Sequence, residues 1–138
     1  MCILVVEDEL LIRLVILEEL TRAGFQVCEA TDGDQAAALI EEPPAEFSLL
    51  VTDIHMPGRL DGIQVAQRMY TRFPAVPVLY TTGRPDALAH VKSACPNQHV
   101  LAKPFAPSEL LALVRQLLAG KQRAEACTSA SGGPAAAR

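Results

Sequence analysis

The chain has 138 residues, half of them apolar and 20% charged, with a formal net charge of −4 at neutral pH. That is enough for one well-buried domain and too little for two ordinary ones, and the composition is that of a soluble globular protein rather than a disordered or fibrous one. Negative charge without a stripe of Lys and Arg argues against a nucleic-acid surface, which depends on clustered cations releasing counterions.

Cys2 to Val6 is a short continuous apolar run, the pattern of a strand buried on both faces. A helix is expected from Leu10 to Ala23, with Asp8 placed to cap its start and Gly24 to end it in the left-handed conformation. Its apolar residues form two stripes, Leu10, Leu14 and Leu17 on one and Ile12, Ile16 and Leu20 on the other, and only one can face a sheet. Phe25 to Ala30 reads as a second strand, closed by the turn residues Asp32 and Gly33. Asp34 to Glu42 is helical until Pro43 and Pro44 stop it.

The alternation continues with a strand from Ser48 to Asp53, a helix from Gly62 to Phe73 ended by Pro74, and a strand from Val76 to Thr82. A further helix is expected over Asp86 to Ala94, then a short strand over Val100 to Ala102. A final helix starts near Pro107, with Glu109 favourably set against its dipole, and ends at Gly120. From Lys121 the chain is rich in Ala, Ser and Gly and is expected to be a flexible tail over 121–138, beyond a domain over 1–120.

Five strands alternating with five helices imply right-handed crossovers and a parallel sheet covered on both faces, a doubly wound α/β domain. Leu10 to Leu17 is broken by Arg13 and falls short of a membrane span, and acidic Glu7 and Asp8 interrupt any signal-peptide pattern, so a cytoplasmic protein is expected. Cys2, Cys28, Cys95 and Cys127 stand far apart without a CxxC pair and read as free thiols.

Doubly wound sheets bind ligands beyond the carboxyl ends of their strands, where the winding reverses. At those ends the sequence places Glu7 and Asp8, then Asp53, then Thr82, then Lys103. Each has an ordinary explanation by itself: a cap, a turn residue, a β-branched strand residue, a structural ion pair. Separate explanations leave their convergence unaccounted for. Two carboxylates about 5 Å apart repel by roughly 3 kcal/mol at an effective dielectric near 20. Three of them need more than Lys103 to offset them, and a hard cation with oxygen ligands, Mg²⁺ or Mn²⁺, meets that need. A carboxylate so placed can act as a nucleophile toward phosphorus.

The segments VVEDE (Val5 to Glu9), VTDIHMPGRLDG (Val51 to Gly62), VLYTTG (Val78 to Gly83) and AKPF (Ala102 to Phe105) resemble, in order and spacing, the motifs of response-regulator receiver domains. The resemblance covers roughly residues 2 to 119. It implies a flavodoxin-like sheet of order 2-1-3-4-5, with Asp53 as phosphoacceptor and Mg²⁺ held by Asp8, Asp53 and the backbone carbonyl of His55, Glu7 acting through water. It further implies that Thr82 and Lys103 bind phosphoryl oxygens, and that the donor is a phosphohistidine on a sensor kinase or phosphotransfer protein. On this reading the chain is a stand-alone switch, not an enzyme acting on other substrates, working through an unidentified downstream protein as a monomer or weak homodimer. Family members often carry an aromatic residue three positions before the lysine, where this chain has Val100, and in that respect it looks more like receivers of hybrid sensor kinases.

Two other functions are weighed. A phosphate sink or relay intermediate would need no aromatic relay. An aspartyl-nucleophile phosphatase normally wants a second acid two residues after the nucleophile, and position 55 is His. The Leu10, Leu14 and Leu17 stripe is expected to lie outward near the acids, as a docking or dimerisation surface.

Overall fold

A computed structural model describes residues 1–42, 46–84 and 98–131, those from 121 onward by their backbone alone. Five strands, β1 (Cys2–Val6), β2 (Val27–Ala30), β3 (Phe47–Asp53), β4 (Val78–Thr82) and β5 (Gln98–Ala102), form one sheet. All pairings are parallel, in the order β2-β1-β3-β4-β5. The doubly wound fold and strand order expected from the motifs are those observed. The described helices are α1 (Leu10–Arg22), α2 (Gly33–Glu41), α3 (Gly62–Arg72) and α4 (Pro107–Ser131). The helix expected over Asp86–Ala94 lies outside the described residues.

The central strands β1, β3 and β4 are almost wholly buried because both of their faces are covered, whereas the edge strands β2 and β5 are partly exposed. Leu4, Val6, Leu50, Val78 and Tyr80 point into a core closed by α2 and α3 through Ala36, Ile40, Val65, Ala66 and Met69. Ile3, Val5, Leu49, Val51 and Leu79 point the other way, onto Ile16 and Leu20 of α1 and Leu110 and Val114 of α4. Each fully buried Leu or Ile contributes about 1.5–3 kcal/mol relative to exposure, so these two layers carry the fold. Of the two stripes on α1, the one with Ile16 and Leu20 is inward, while Leu10 and Leu14 are exposed.

Several boundaries differ from expectation for local reasons. Asp8 does not cap α1; the N-cap is Glu9, which makes no side-chain capping bond. Gly24 does end that helix at φ 98°. Asp32 caps α2 by accepting from the Gln35 N–H, and Asp61 caps α3 in a reciprocal capping box with Gln64. The α4 backbone passes through Gly120 to Ser131, so the expected boundary between domain and tail falls inside one helix. A single glycine costs a helix only about 1 kcal/mol, and the neighbouring Ala, Leu, Lys, Gln and Glu residues favour its continuation.

The cysteines read as free thiols are not all so. Cys2 and Cys28 lie on adjacent strands with Cα atoms 6.3 Å apart and form a disulfide. Their separation of 26 residues carries no sequence signal; strand pairing brings them together.

Candidate functional site

The winding reverses between β1 and β3, since β2 lies on one side of β1 while β4 and β5 follow β3 on the other. Glu7 and Asp8 leave the end of β1, and Asp53 is the last residue of β3. Register carries the other groups to the same edge. Asp53 pairs with Thr81, Thr82 with Ala102, and Lys103 follows directly, its N–H donating to the Thr82 carbonyl at 2.7 Å.

The structure brings together the acids that the sequence nominates. Glu7, Asp8 and Asp53 each offer a carboxylate oxygen, all within 4.8 Å of one another. Lys103 Nζ reaches Glu7 Oε1 at 3.1 Å and Asp53 Oδ2 at 3.2 Å. Three carboxylates thus face one ammonium, and Glu7 and Asp53 are almost wholly buried. Asp8 is exposed at the mouth, and its carboxylate is not spent on the helix cap.

Burial in this crowd pushes Glu7 up to about 7, and the negative charge of Asp53 pushes the same way; Lys103 and the Glu9 N–H offset only part of this. For Lys103, burial pulls downward, but the hydrogen bond and charge of Glu7 and the charge of Asp53 outweigh it, so its pKa is raised. The surplus of negative charge suits a hard divalent cation: the donors are carboxylates, close enough to share one ion, and one of them opens to solvent. Among the described residues no second metal-ligand cluster competes with this one.

Thr82 is fully buried, and its Oγ1 accepts the Arg84 N–H at 2.9 Å, a short turn that leaves its own proton free to donate. His55 stands two residues past Asp53 with its side chain exposed.

Two residues matter here whose part the sequence reading does not assign. Gly62, read only as a helix start, lies against the backbone of Asp53 and Ile54, and its N–H donates to the Ile54 carbonyl at 2.8 Å. A methyl group there would overlap the Asp53 carbonyl oxygen. Arg13, read only as an interruption of an apolar run, is buried and donates to the Glu7 carbonyl at 2.8 Å. A glycine at a helix start and a lone cation on an apolar face are the available signals, and neither points to a partner by itself.

Residues 3–115 match the family model described as response regulator receiver domain. The chain is 35% identical over 119 residues to the response regulator RppA of a Synechocystis species, covering 85% of this chain and 50% of that protein. It is 36% identical over 113 residues to the uncharacterized transcriptional regulatory protein YrkP of Bacillus subtilis, covering 81% and 47% respectively. The chain therefore spans about half the length of these curated relatives. Among solved structures, a response regulator receiver protein from Sinorhizobium medicae superposes with a TM-score of 0.79 at 32% identity, over 87% of this chain and 95% of that one. The receiver domain of the hybrid histidine kinase CckA superposes at 0.73 with 30% identity, over 86% and 99%. With the sheet order, the acid cluster and the lysine in place, these matches identify the chain as a member of the response regulator receiver family of two-component signalling.

Proposed function

We propose that the chain is a phosphorylation switch that accepts a phosphoryl group from a phosphohistidine donor onto Asp53 in a Mg²⁺-dependent reaction. The observation that carries this reading is the single ammonium of Lys103 set between Glu7 and Asp53, with Asp8 beside them. A carboxylate oxygen of Asp53 attacks phosphorus, the phosphorus–nitrogen bond of the donor breaks, and the departing imidazole takes up a proton. Lys103 stays within reach of the new acyl phosphate, and the Thr82 hydroxyl is placed to donate to one of its oxygens. Asp8, Asp53 and the His55 carbonyl would hold Mg²⁺, with Glu7 acting through water, and the bound ion would neutralise charge on the transferring phosphoryl group. Burial of Asp53 limits access of bulk water to the product bond.

The exposed apolar residues of α1, Leu10, Leu11, Leu14 and Val15, border the acidic turn and offer the protein donor a surface to pack on. Val100, at the place where many receivers carry an aromatic, favours a second reading as a phosphate sink or relay intermediate. It lies on the edge strand β5 and is 37% exposed.

The test is incubation with a small phosphodonor and Mg²⁺, followed by intact-mass measurement. One acid-stable, base-labile phosphate should appear on the wild type and be lost with EDTA or in Asp53→Asn. An unmodified wild type, or an adduct that survives in Asp53→Asn, would overturn the proposal. A conformational change on phosphorylation then separates switch from sink.

A further inference from the structure

Helix α1 buries one charged side chain, Arg13, beside Ile16 and Leu20. Its Nη1 donates to the Glu7 carbonyl at 2.8 Å, and its Nε to Glu29 Oε1 on β2 at 3.1 Å. The Glu7 carboxylate in turn accepts the Glu9 N–H at 3.2 Å, so the turn from Glu7 to Glu9 is held at both ends. The helix cap does not do this, because Glu9 makes no side-chain capping bond and Asp8 is not the cap. We propose that Arg13 is a positioning residue for the divalent-cation site. It clamps the Glu7–Asp8 peptide at the angle that aims both carboxylates toward Asp53, and Glu29 holds its guanidinium from the edge strand. The role rests on the Mg²⁺ site proposed above.

Charge alone argues the opposite way, which makes the role testable. A guanidinium beside a site that must take up Mg²⁺ repels the ion, so deleting it should tighten binding if electrostatics were all that mattered. A clamp predicts weaker binding. The rigid planar guanidinium of Arg carries donors on several edges, so its Nε and Nη1 can hold a carboxylate and a carbonyl at once in a fixed geometry; Lys keeps the charge but reaches only one partner well. Groups that orient metal ligands typically change affinity about 10–100-fold when removed.

The experiment measures Mg²⁺ affinity by calorimetry and by NMR titration for the wild type, Arg13→Lys and Arg13→Met, with unfolding followed in EDTA. The role predicts about tenfold weaker binding in Arg13→Met despite the lost positive charge, with Arg13→Lys between it and the wild type. The Mg²⁺ concentration for half-maximal phosphorylation by a small donor should rise in parallel, while the rate at saturating Mg²⁺ stays near the wild-type value. Unchanged or tighter binding in the variants, with only a lower unfolding midpoint in EDTA, would reduce Arg13 to a structural ion pair and overturn the role. Should Arg13→Met not fold, Arg13→Lys decides alone, since its charge is unaltered. A wild type that binds no Mg²⁺ overturns the metal site and this role together, and is recognised without any variant.

Discussion

The two faces of the sheet are closed in different ways. On one, α3 begins with a glycine laid on the backbone of Asp53 and Ile54, and α2 begins with another, Gly33, laid on Leu60. On the other, α1 seats Ile16, Leu20 and the buried Arg13, and leaves Leu10, Leu11, Leu14 and Val15 to solvent. The tight face fixes the backbone of Asp53 and has no slack for adjustment. The open face borders the acidic turn and keeps apolar surface that the fold itself does not need.

The sharpest way to break the tight face is Gly62→Ala. The added methyl meets three backbone atoms of Asp53 and Ile54, none of which can swing aside as a side-chain tip could. A loss of about 4 kcal/mol or more is expected in denaturant unfolding, at the top of the range for single substitutions. Gly120→Ala serves as the control, because it meets nothing within 4 Å in the middle of α4. It should stabilise by about 0.5–1 kcal/mol through helix propensity. Equal effects of the two substitutions would show that the close approach at Gly62 is not what locks the end of β3.

The acid cluster between the two faces predicts a pH dependence. Glu7 holds its proton to about 7 in the fold, whereas in the unfolded chain it releases it in the ordinary carboxylate range. The stability linked to that raised pKa is fully present below the ordinary range and is lost as pH rises through about 7. In EDTA the free energy of unfolding should therefore fall between about pH 4.5 and 7.5, by an amount on the order of 3 kcal/mol at about 1.4 kcal/mol per unit. Lys103 is raised as well, so its own contribution is lost only in the alkaline range, outside this window. Glu7→Gln should flatten the slope; a slope unchanged by that substitution would assign it to other groups.

Much of this arrangement is legible in the sequence because it depends on period and punctuation. Apolar runs of strand length and glycine or proline stops give the elements, and their βα order fixes the sheet. Strand ends then place Glu7, Asp8, Asp53, Thr82 and Lys103 on one edge. Features made by tertiary contact are not legible in the same way. The Cys2–Cys28 disulfide depends on two strands pairing across 26 residues, and the burial of Arg13 depends on Glu29 arriving from β2. The cap of α1 is misplaced by one residue because Asp8, a strong capping type, is turned to the mouth of the site while Glu9 occupies the N-cap position. The run of α4 past Gly120 shows a glycine stop overridden by the helix formers around it.

The open face calls for a substitution that should hardly touch the fold. Leu14 is 49% exposed, so Leu14→Gln removes little buried area, and unfolding should stay within about 0.5 kcal/mol of the wild type. Gln also adds no charge beside the acids, so Mg²⁺ affinity and phosphorylation by a small donor should be unchanged. If the protein donor packs on this face, transfer from an autophosphorylated sensor histidine kinase able to phosphorylate the wild type should slow severalfold, because apolar area of a contact surface is lost without altering the chemistry. Loss with the small donor as well would place Leu14 in the reaction site. Full-speed transfer from the protein donor would leave the exposed stripe without a part in phosphotransfer, and the contrast between the two faces would then be one of packing alone.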